Sequence, residues 1–353
     1  MKRLITLALF FFLFKVTTSA QQFNKRAFDI LHAAGASALA YAVVSADSVL
    51  ECKTYGSPSY LASSIIDEQS RFKIGSNTKA ITSQIAAMLV QQQKIQWSTN
   101  FFTIFPGLKA GSRKAYSTLT LEDLLSFRAP LPPFTYSNTE PATSQFQGDA
   151  ATQRLQFAQW ILLQPPQPTT GALYLTNAGY VLAGLMLEKV AQKPYAQLVK
   201  ELNTIMQADF EIANDTRTVN GYGDEVNIDT ATLRVKLNWL EAAGNLDVSV
   251  AGYTHFLQNQ LKSFRSNNTI FTPSMMEYLY FGKGEFSLGW FWKVNNKGHK
   301  VAYNTGNPGK FLSQVYVVPG ANRAYFIFIN KQSNVALNSI NNLLLQLIDQ
   351  YGE

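Results

Sequence analysis

The chain has one cysteine among its 353 residues. Cys52 therefore has no intrachain disulfide partner in any compartment, and it reads as a small buried hydrophobe. Histidine is almost as scarce: His32, His255 and His299 are the three present. No spacing among them suits a metal site and no His-Glu-x-x-His occurs, so no metal and no cofactor are expected. A Ser-His-Asp triad stays open on sequence grounds, but nothing points to one. There is no Gly-x-Ser-x-Gly elbow and no phosphate-cradling glycine loop. Charged residues make up 15% of the chain, and its 30 basic side chains form no Lys or Arg run. That scatter excludes a nucleic-acid footprint. After the first twenty residues no apolar stretch is long enough to cross a bilayer, so no transmembrane anchor is expected once they are removed.

Those first twenty residues have a composition of their own. Lys2 and Arg3 precede the apolar run Leu4 to Phe14, and Thr17-Thr18-Ser19-Ala20 supplies small residues ahead of Gln21. This is the pattern of a secretory signal peptide spanning residues 1–20, which places the mature protein in the periplasm or outside the cell. Lys2, Arg3 and Lys15 leave with it, so the formal charge of +7 becomes +4 in residues 21–353. At 46% hydrophobic residues the remainder can bury a substantial core as a single domain.

Apolar periodicity sketches its architecture. A short helix begins at Ala27, and Ala38 to Val44 and Val49 to Tyr55 read as paired strands. Leu312 to Val318 and Ala324 to Asn330 form a second hairpin about the Pro319-Gly320-Ala321-Asn322 turn, and Leu337 to Tyr351 is a closing helix. Strands at both chain ends imply one antiparallel sheet built from both termini. Between them Ile81–Gln93, Leu119–Ser126, Ala151–Leu163, Gly179–Ala191, Tyr195–Met206 and Val250–Leu261 carry helical spacing. The expected fold is α/β in the α+β sense: a sheet subdomain of about residues 27–75 and 285–353 flanked by helices, with a helical subdomain of about 76–284 inserted. An active site belongs in the cleft between them.

The most informative segment runs from Phe72 to Thr82. It contains Ser76-Asn77-Thr78-Lys79 where an extended segment passes into a helix, which puts Ser76 and Lys79 on one helix face. A partly buried lysine of lowered pKa can deprotonate a serine hydroxyl, and free N–H groups at a helix start can hold an oxyanion. A plain alternative makes Ser76 a helix cap and Lys79 a solvated side chain. A second match, Ser70-Arg71-Phe72-Lys73, lies on the extended segment and lacks that context.

The order of further segments carries a resemblance. Phe72 to Lys79, Leu119 to Ser126, Asn177 to Gly184, Ala243 to Ser249, Ser287-Leu288-Gly289-Trp290 and Asn304-Thr305-Gly306 follow one another as in the serine beta-lactamase and penicillin-binding protein superfamily. The chain is most similar to the branch of class C beta-lactamases, D,D-carboxypeptidases and related esterases. The resemblance implies a beta-lactamase/transpeptidase-like fold and a hydrolase that forms an acyl-serine on a small-molecule or peptide substrate with an ester, amide or lactam bond. It implies Ser76 as nucleophile, Lys79 as its base, Asn177 orienting Lys79 and touching a substrate amide, and Asn304, Thr305 and Gly306 lining the cleft. The oxyanion hole would use the backbone N–H groups of Ser76 and Asn307.

Two departures bear on activity. The family's second motif is Tyr-x-Asn, and aligning its Asn on Asn177 puts Leu175 where the tyrosine belongs. Tyr174, one residue away, is then the candidate proton shuttle. The third motif, usually Lys-Thr-Gly or His-Thr-Gly, is Asn304-Thr305-Gly306, so a substrate carboxylate loses a cation. Asn177 also fits as a helix N-cap. These departures motivate a second expectation, a catalytically weakened homologue that binds a peptidoglycan-like peptide or another small ligand in the same cleft. Oligomeric state is not legible.

Overall fold

A computed structural model describes residues 25–168, 173–223, 229–266 and 270–353. The expected leader, residues 1–20, lies outside the described residues.

The sheet joins the two ends of the chain. Strands β1 (Ala38–Val44), β2 (Val49–Gly56), β7 (Phe291–Val294), β8 (Lys300–Gly306), β9 (Leu312–Val318) and β10 (Arg323–Ile329) pair in the order β2-β1-β10-β9-β8-β7. All five pairings are antiparallel. The central strands are apolar on both faces because both faces are covered. Ala38, Ala40, Ala42 and Val44 of β1 belong to the large core. Leu39, Tyr41 and Val43 face a second core beneath the terminal helices. Asn330 fastens the junction of the termini: its Oδ1 accepts the N–H groups of Ser37 and Ala38, and its Nδ2 donates to the Asn220 carbonyl and Ser37 Oγ.

The terminal helices follow their apolar spacing. The helix of residues 25–34 and the helix Asn334–Tyr351 bury Ile30, Leu31, Ile340, Leu343 and Leu347 on the second core. Ser333 caps the latter by accepting the Ala336 N–H at 3.1 Å. On the other face lie Thr78–Gln91, Leu121–Leu125, Ala150–Leu163, Ala178–Ala191, Tyr195–Met206 and Val250–Arg265. The helices Thr230–Trp239 and Pro273–Phe281 escaped the sequence reading. Thr230–Trp239 fully buries only Leu233, Leu237 and Trp239 among its apolar residues and interleaves them with Thr, Arg, Lys and Asn, so its apolar stripe is thin.

Two expectations change. Thr78–Gln91 is not amphipathic but buried from Thr78 through Leu89, because it runs through the centre of the molecule. Thr82 on it is satisfied internally: its Oγ1 shares a 2.6 Å hydrogen bond with the Tyr195 hydroxyl and donates to the Ala242 carbonyl. The extended segment before it, β3 (Arg71–Lys73), does not join the main sheet. It pairs with β6 (Leu246–Ser249), which also pairs with β4 (Glu211–Ile212), strands from the region expected to be helical. The remaining two-stranded sheet pairs β5 (Tyr222–Gly223) with β11 (Lys331–Gln332).

The nucleophile turn, Gly75–Asn77, is wedged against the end of β8 at backbone distance. A Cβ at Gly306 would stand 1.9 Å from the Ile74 carbonyl oxygen, and one at Gly75 would stand 2.7 Å from the Asn307 nitrogen. Gly75 also has φ +51°, which side chains rarely adopt. Gly306→Ala should therefore push two backbones apart and cost about 2 kcal/mol or more, read as a lower melting temperature together with lost reactivity at Ser76. An alanine variant with unchanged stability would show that the contact is not needed.

Candidate active site

Lys79 is the centre of the arrangement. It lies on the first turn of Thr78–Gln91 and is 3% exposed, which removes the reading of a solvated lysine. Its Nζ is 3.0 Å from Ser76 Oγ, 2.7 Å from Asn177 Oδ1 and 2.8 Å from the carbonyl oxygen of Ala243. The Tyr180 ring lies 5.4 Å from Nζ. No carboxylate is paired with Lys79 among the described residues. Burial accordingly pulls its pKa from 10.5 down to about 7.

Three neighbours around an amine have a definite meaning. An ammonium donates to all three. A neutral amine has two N–H bonds and one lone pair. The Asn177 and Ala243 oxygens are pure acceptors here, so they take the two N–H bonds, and the lone pair is left facing the Ser76 hydroxyl. The site can thus accept a proton from Ser76 through a single hydrogen bond.

Backbone geometry supplies the rest. Ser76 stands on the 3-10 turn between β3 and the helix, and Asn77 Nδ2 donates to Ser313 Oγ at 2.8 Å, which in turn donates to the Ile74 carbonyl at 2.8 Å. These bonds pin the turn to β9. Among the described residues neither the Ser76 N–H nor the Asn307 N–H has an acceptor. Two free donors on adjacent backbones can serve a developing oxyanion.

Asn177 heads the helix Ala178–Ala191, yet its side chain makes no capping bond and is spent on Lys79. Its N–H donates to the Phe134 carbonyl at 3.1 Å, and Thr176 Oγ1 donates to the Pro132 carbonyl at 2.8 Å, so the loop after Ala129 is laced to this segment. Ser70 is no competitor of Ser76: its hydroxyl donates to Asp67, and Lys73 is ion-paired with Asp215.

Two expected roles, those of Tyr174 and Asn304, are corrected. The Tyr174 hydroxyl is donated to the Pro168 carbonyl inside its own loop, so it does not serve Ser76 as a shuttle. Leu175 is 56% exposed and has no acid–base chemistry to offer. Asn304 is buried, its Nδ2 donating to the Gly289 carbonyl at 3.0 Å and its Oδ1 accepting the Thr305 N–H at 2.8 Å. Its Nδ2 also lies 3.4 Å from the Ser76 carbonyl oxygen, so the amide braces β8 against the turn that carries Ser76. Gly306 is buried too and acts through the space it leaves, whereas Thr305 is exposed on the strand.

Sequence reasoning missed three participants. Ala243 acts through its carbonyl, which no side-chain pattern reveals. Tyr180 reads as an ordinary core aromatic of its helix. Tyr136 brings a phenol to this region, its hydroxyl donating to Asn307 Oδ1 at 3.4 Å. The tripeptide Tyr136-Ser137-Asn138 has the Tyr-x-Asn composition and was the available signal. Burial raises the Tyr136 pKa, so it is a donor rather than a base near neutrality.

Comparison with known proteins identifies the family and the fold. The family model described as Beta-lactamase matches residues 23–350. The chain is similar to the unguisins hydrolase ungD of Aspergillus violaceofuscus, with 25% identity over 249 residues that cover 63% of this chain and 42% of that protein. It therefore spans about two fifths of the length of that curated relative. A beta-lactamase from Sulfitobacter sp. EE-36 superposes with TM-score 0.72 at 16% identity, covering 93% of this chain and 97% of the other. A class C beta-lactamase from Rhodobacter sphaeroides does so with TM-score 0.70 at 14% identity, covering 92% and 99%. At such identities the two structures establish the fold alone.

The Lys79 environment makes a test of its own. Asn177→Asp would set a carboxylate at the position now 2.7 Å from Nζ. An adjacent negative charge favours the ammonium, so the Lys79 pKa should rise by about one unit or more. The pH midpoint for covalent labelling of Ser76 should move upward by the same amount. A labelling profile with an unmoved midpoint would show that Lys79 is not the titrating group.

Proposed function

The chain belongs to the beta-lactamase family, and we propose that it is an exported serine hydrolase that cleaves an ester, amide or lactam bond through an acyl-serine. The observation that carries this reading is the Lys79 amine, fixed by two carbonyl acceptors with its third contact on Ser76 Oγ. Neutral Lys79 takes the Ser76 proton as Oγ attacks the carbonyl carbon. The N–H groups of Ser76 and Asn307 receive the negative oxygen, and the Lys79 ammonium returns the proton to the departing group. A water deprotonated by Lys79 then releases the acyl group by the same path in reverse. Tyr136 stands against Asn307 and is placed to touch the acyl portion. The hydrolase activity named for the Aspergillus relative supports hydrolysis as the reaction.

A second reading has its own observations. With Leu175 in place of a phenol and Asn304 withdrawn into the core, the site fits a weakened homologue that binds a small ligand or peptide without turning it over. Intact-protein mass spectrometry with a fluorophosphonate and with penicillin separates the two. A Ser76 adduct that is absent from Ser76→Ala, while Ser70→Ala keeps it, supports the hydrolase. A folded protein that takes up neither reagent supports the binder.

Because a base must be neutral, labelling should rise with pH about a midpoint near 7, where the lowered Lys79 pKa lies. Lys79→Met should remove it. A flat profile between pH 5 and 9 would exclude Lys79 as the base. Export rests on residues 1–20. Protein recovered from outside the cytoplasm should begin near Gln21, and extracytoplasmic material that still carries Met1 would refute the cleavage.

A further inference from the structure

A cavity of about 830 Å³ adjoins the nucleophile turn. Asn245 and Pro308 are on its wall. Both sit beside residues that frame Ser76. A Cβ at Gly75 would meet Pro308 Cδ at 2.8 Å and the Asn307 nitrogen at 2.7 Å, and a Cβ at Gly244 would lie 4.0 Å from the Ser76 nitrogen. The cavity wall thus includes the chain neighbours of Asn307 and of Gly244, two residues packed against the Gly75–Ser76 turn. Its volume falls within the range that holds a small organic ligand, about 300–1,000 Å³.

Its charge is one-sided. Lys73, Arg217, Arg234 and Lys310 line it, against the single carboxylate of Asp215. Asp215 is divided between Lys73 and Arg234, the latter at 3.4 Å. Arg217 is taken up by Glu211, with Asp247 at 3.9 Å. Lys310 has no carboxylate partner among the described residues. Lys310 is thus unbalanced by the pairing, and Lys73 and Arg234 have one carboxylate between them. Lys310 lies three residues after Asn307, on the loop that carries one oxyanion donor. Asn304, by contrast, has no charge and no free amide.

We propose that this cavity is a subsite for an anionic group, a carboxylate on the substrate, held by Lys310 with help from Arg234. The proposal deepens the hydrolase reading and rests on it for the word substrate. Cation selection has moved from the β8 position of Asn304 to the loop that follows the strand. The lining suits an anion: against the carboxylates of Asp215 and Glu211 the four cations leave a surplus of two charges, and Asn245 and Asn238 offer amide donors and acceptors beside it. A partly enclosed charge pair is less screened than one on the open surface, so the preference is large enough to measure and still falls with salt.

Ser76→Ala protein, which forms no acyl-enzyme, allows binding to be read without turnover. The probes are m-carboxyphenyl phenylacetylglycinate and phenyl phenylacetylglycinate, esters that differ by one carboxylate. Calorimetric titration should show the acid binding about tenfold tighter at low ionic strength, with the advantage shrinking in high salt. Adding Lys310→Gln should abolish the difference and leave the neutral ester's affinity unchanged, with the melting temperature confirming a folded protein. Equal affinities, no measurable binding of the acid, or a preference that survives Lys310→Gln together with Arg234→Gln would overturn the proposal. Turnover of the neutral ester by the unmodified protein tests the hydrolase reading separately. Carboxylate preference without turnover keeps the subsite and removes the hydrolase, and turnover without preference does the reverse.

Discussion

The site depends on one buried amine without a counter-ion. Placing Lys79 among Asn177, Ala243 and the Tyr180 ring costs the ammonium its hydration and offers dipoles, not a carboxylate, in return. The consequence is an amine whose pKa is pulled down to about 7. Every neighbouring feature serves this placement. The Asn177 side chain gives up a helix cap to hold Nζ, and the short helix Glu241–Gly244 ends so that the Ala243 carbonyl points at it. The central helix is buried all round so that its first turn can hold a lysine away from water.

Backbone contact supplies the second constraint. Gly75 and Gly306 leave no room for side chains where the nucleophile turn meets β8. Ser313 bridges Asn77 and Ile74, so strand β9, laid down more than two hundred residues later, fixes the turn that carries Ser76. Pieces far apart in the chain therefore set the Ser76–Asn307 geometry, and a hydrogen bond across that seam does what a disulfide cannot do in a chain with one cysteine.

The sheet and most helices were legible in the sequence because they obey strong periods. β1, β9 and the helix Tyr195–Met206 carry apolar residues at the spacing their burial requires, and their bounds agree with the expected ones. Thr230–Trp239 was not legible because a thin stripe on a polar helix gives little signal. β3 was seen as extended but not as a partner of β6, since three residues carry no register information. In the site, Ser76, Lys79 and Asn177 were legible through spacing and order. The Ala243 carbonyl was not, because a backbone acceptor has no residue type. The place of Asn304 on the strand beside Ser76 was legible too, but not that its amide is already spent on the Gly289 and Ser76 carbonyls and the Thr305 N–H, because burial and partners are not written in a motif.

The two departures from the family pattern have one physical reading. A tyrosine that relays protons is most useful when the lysine beside the serine stays charged, because the phenol then does the proton transfer. When the lysine is neutral near pH 7 with its lone pair on Ser76 Oγ, the relay has less to do, and Leu175 costs little at that step. A neutral lysine also leaves the centre without a positive charge to attract an anion, and the uncharged Asn304 adds none. Whatever charge recognition the protein exerts must then come from outside the Ser76–Lys79 pair. Lys310, three residues after Asn307 and without a carboxylate partner among the described residues, is the cation on the loop that carries one of the two free N–H groups.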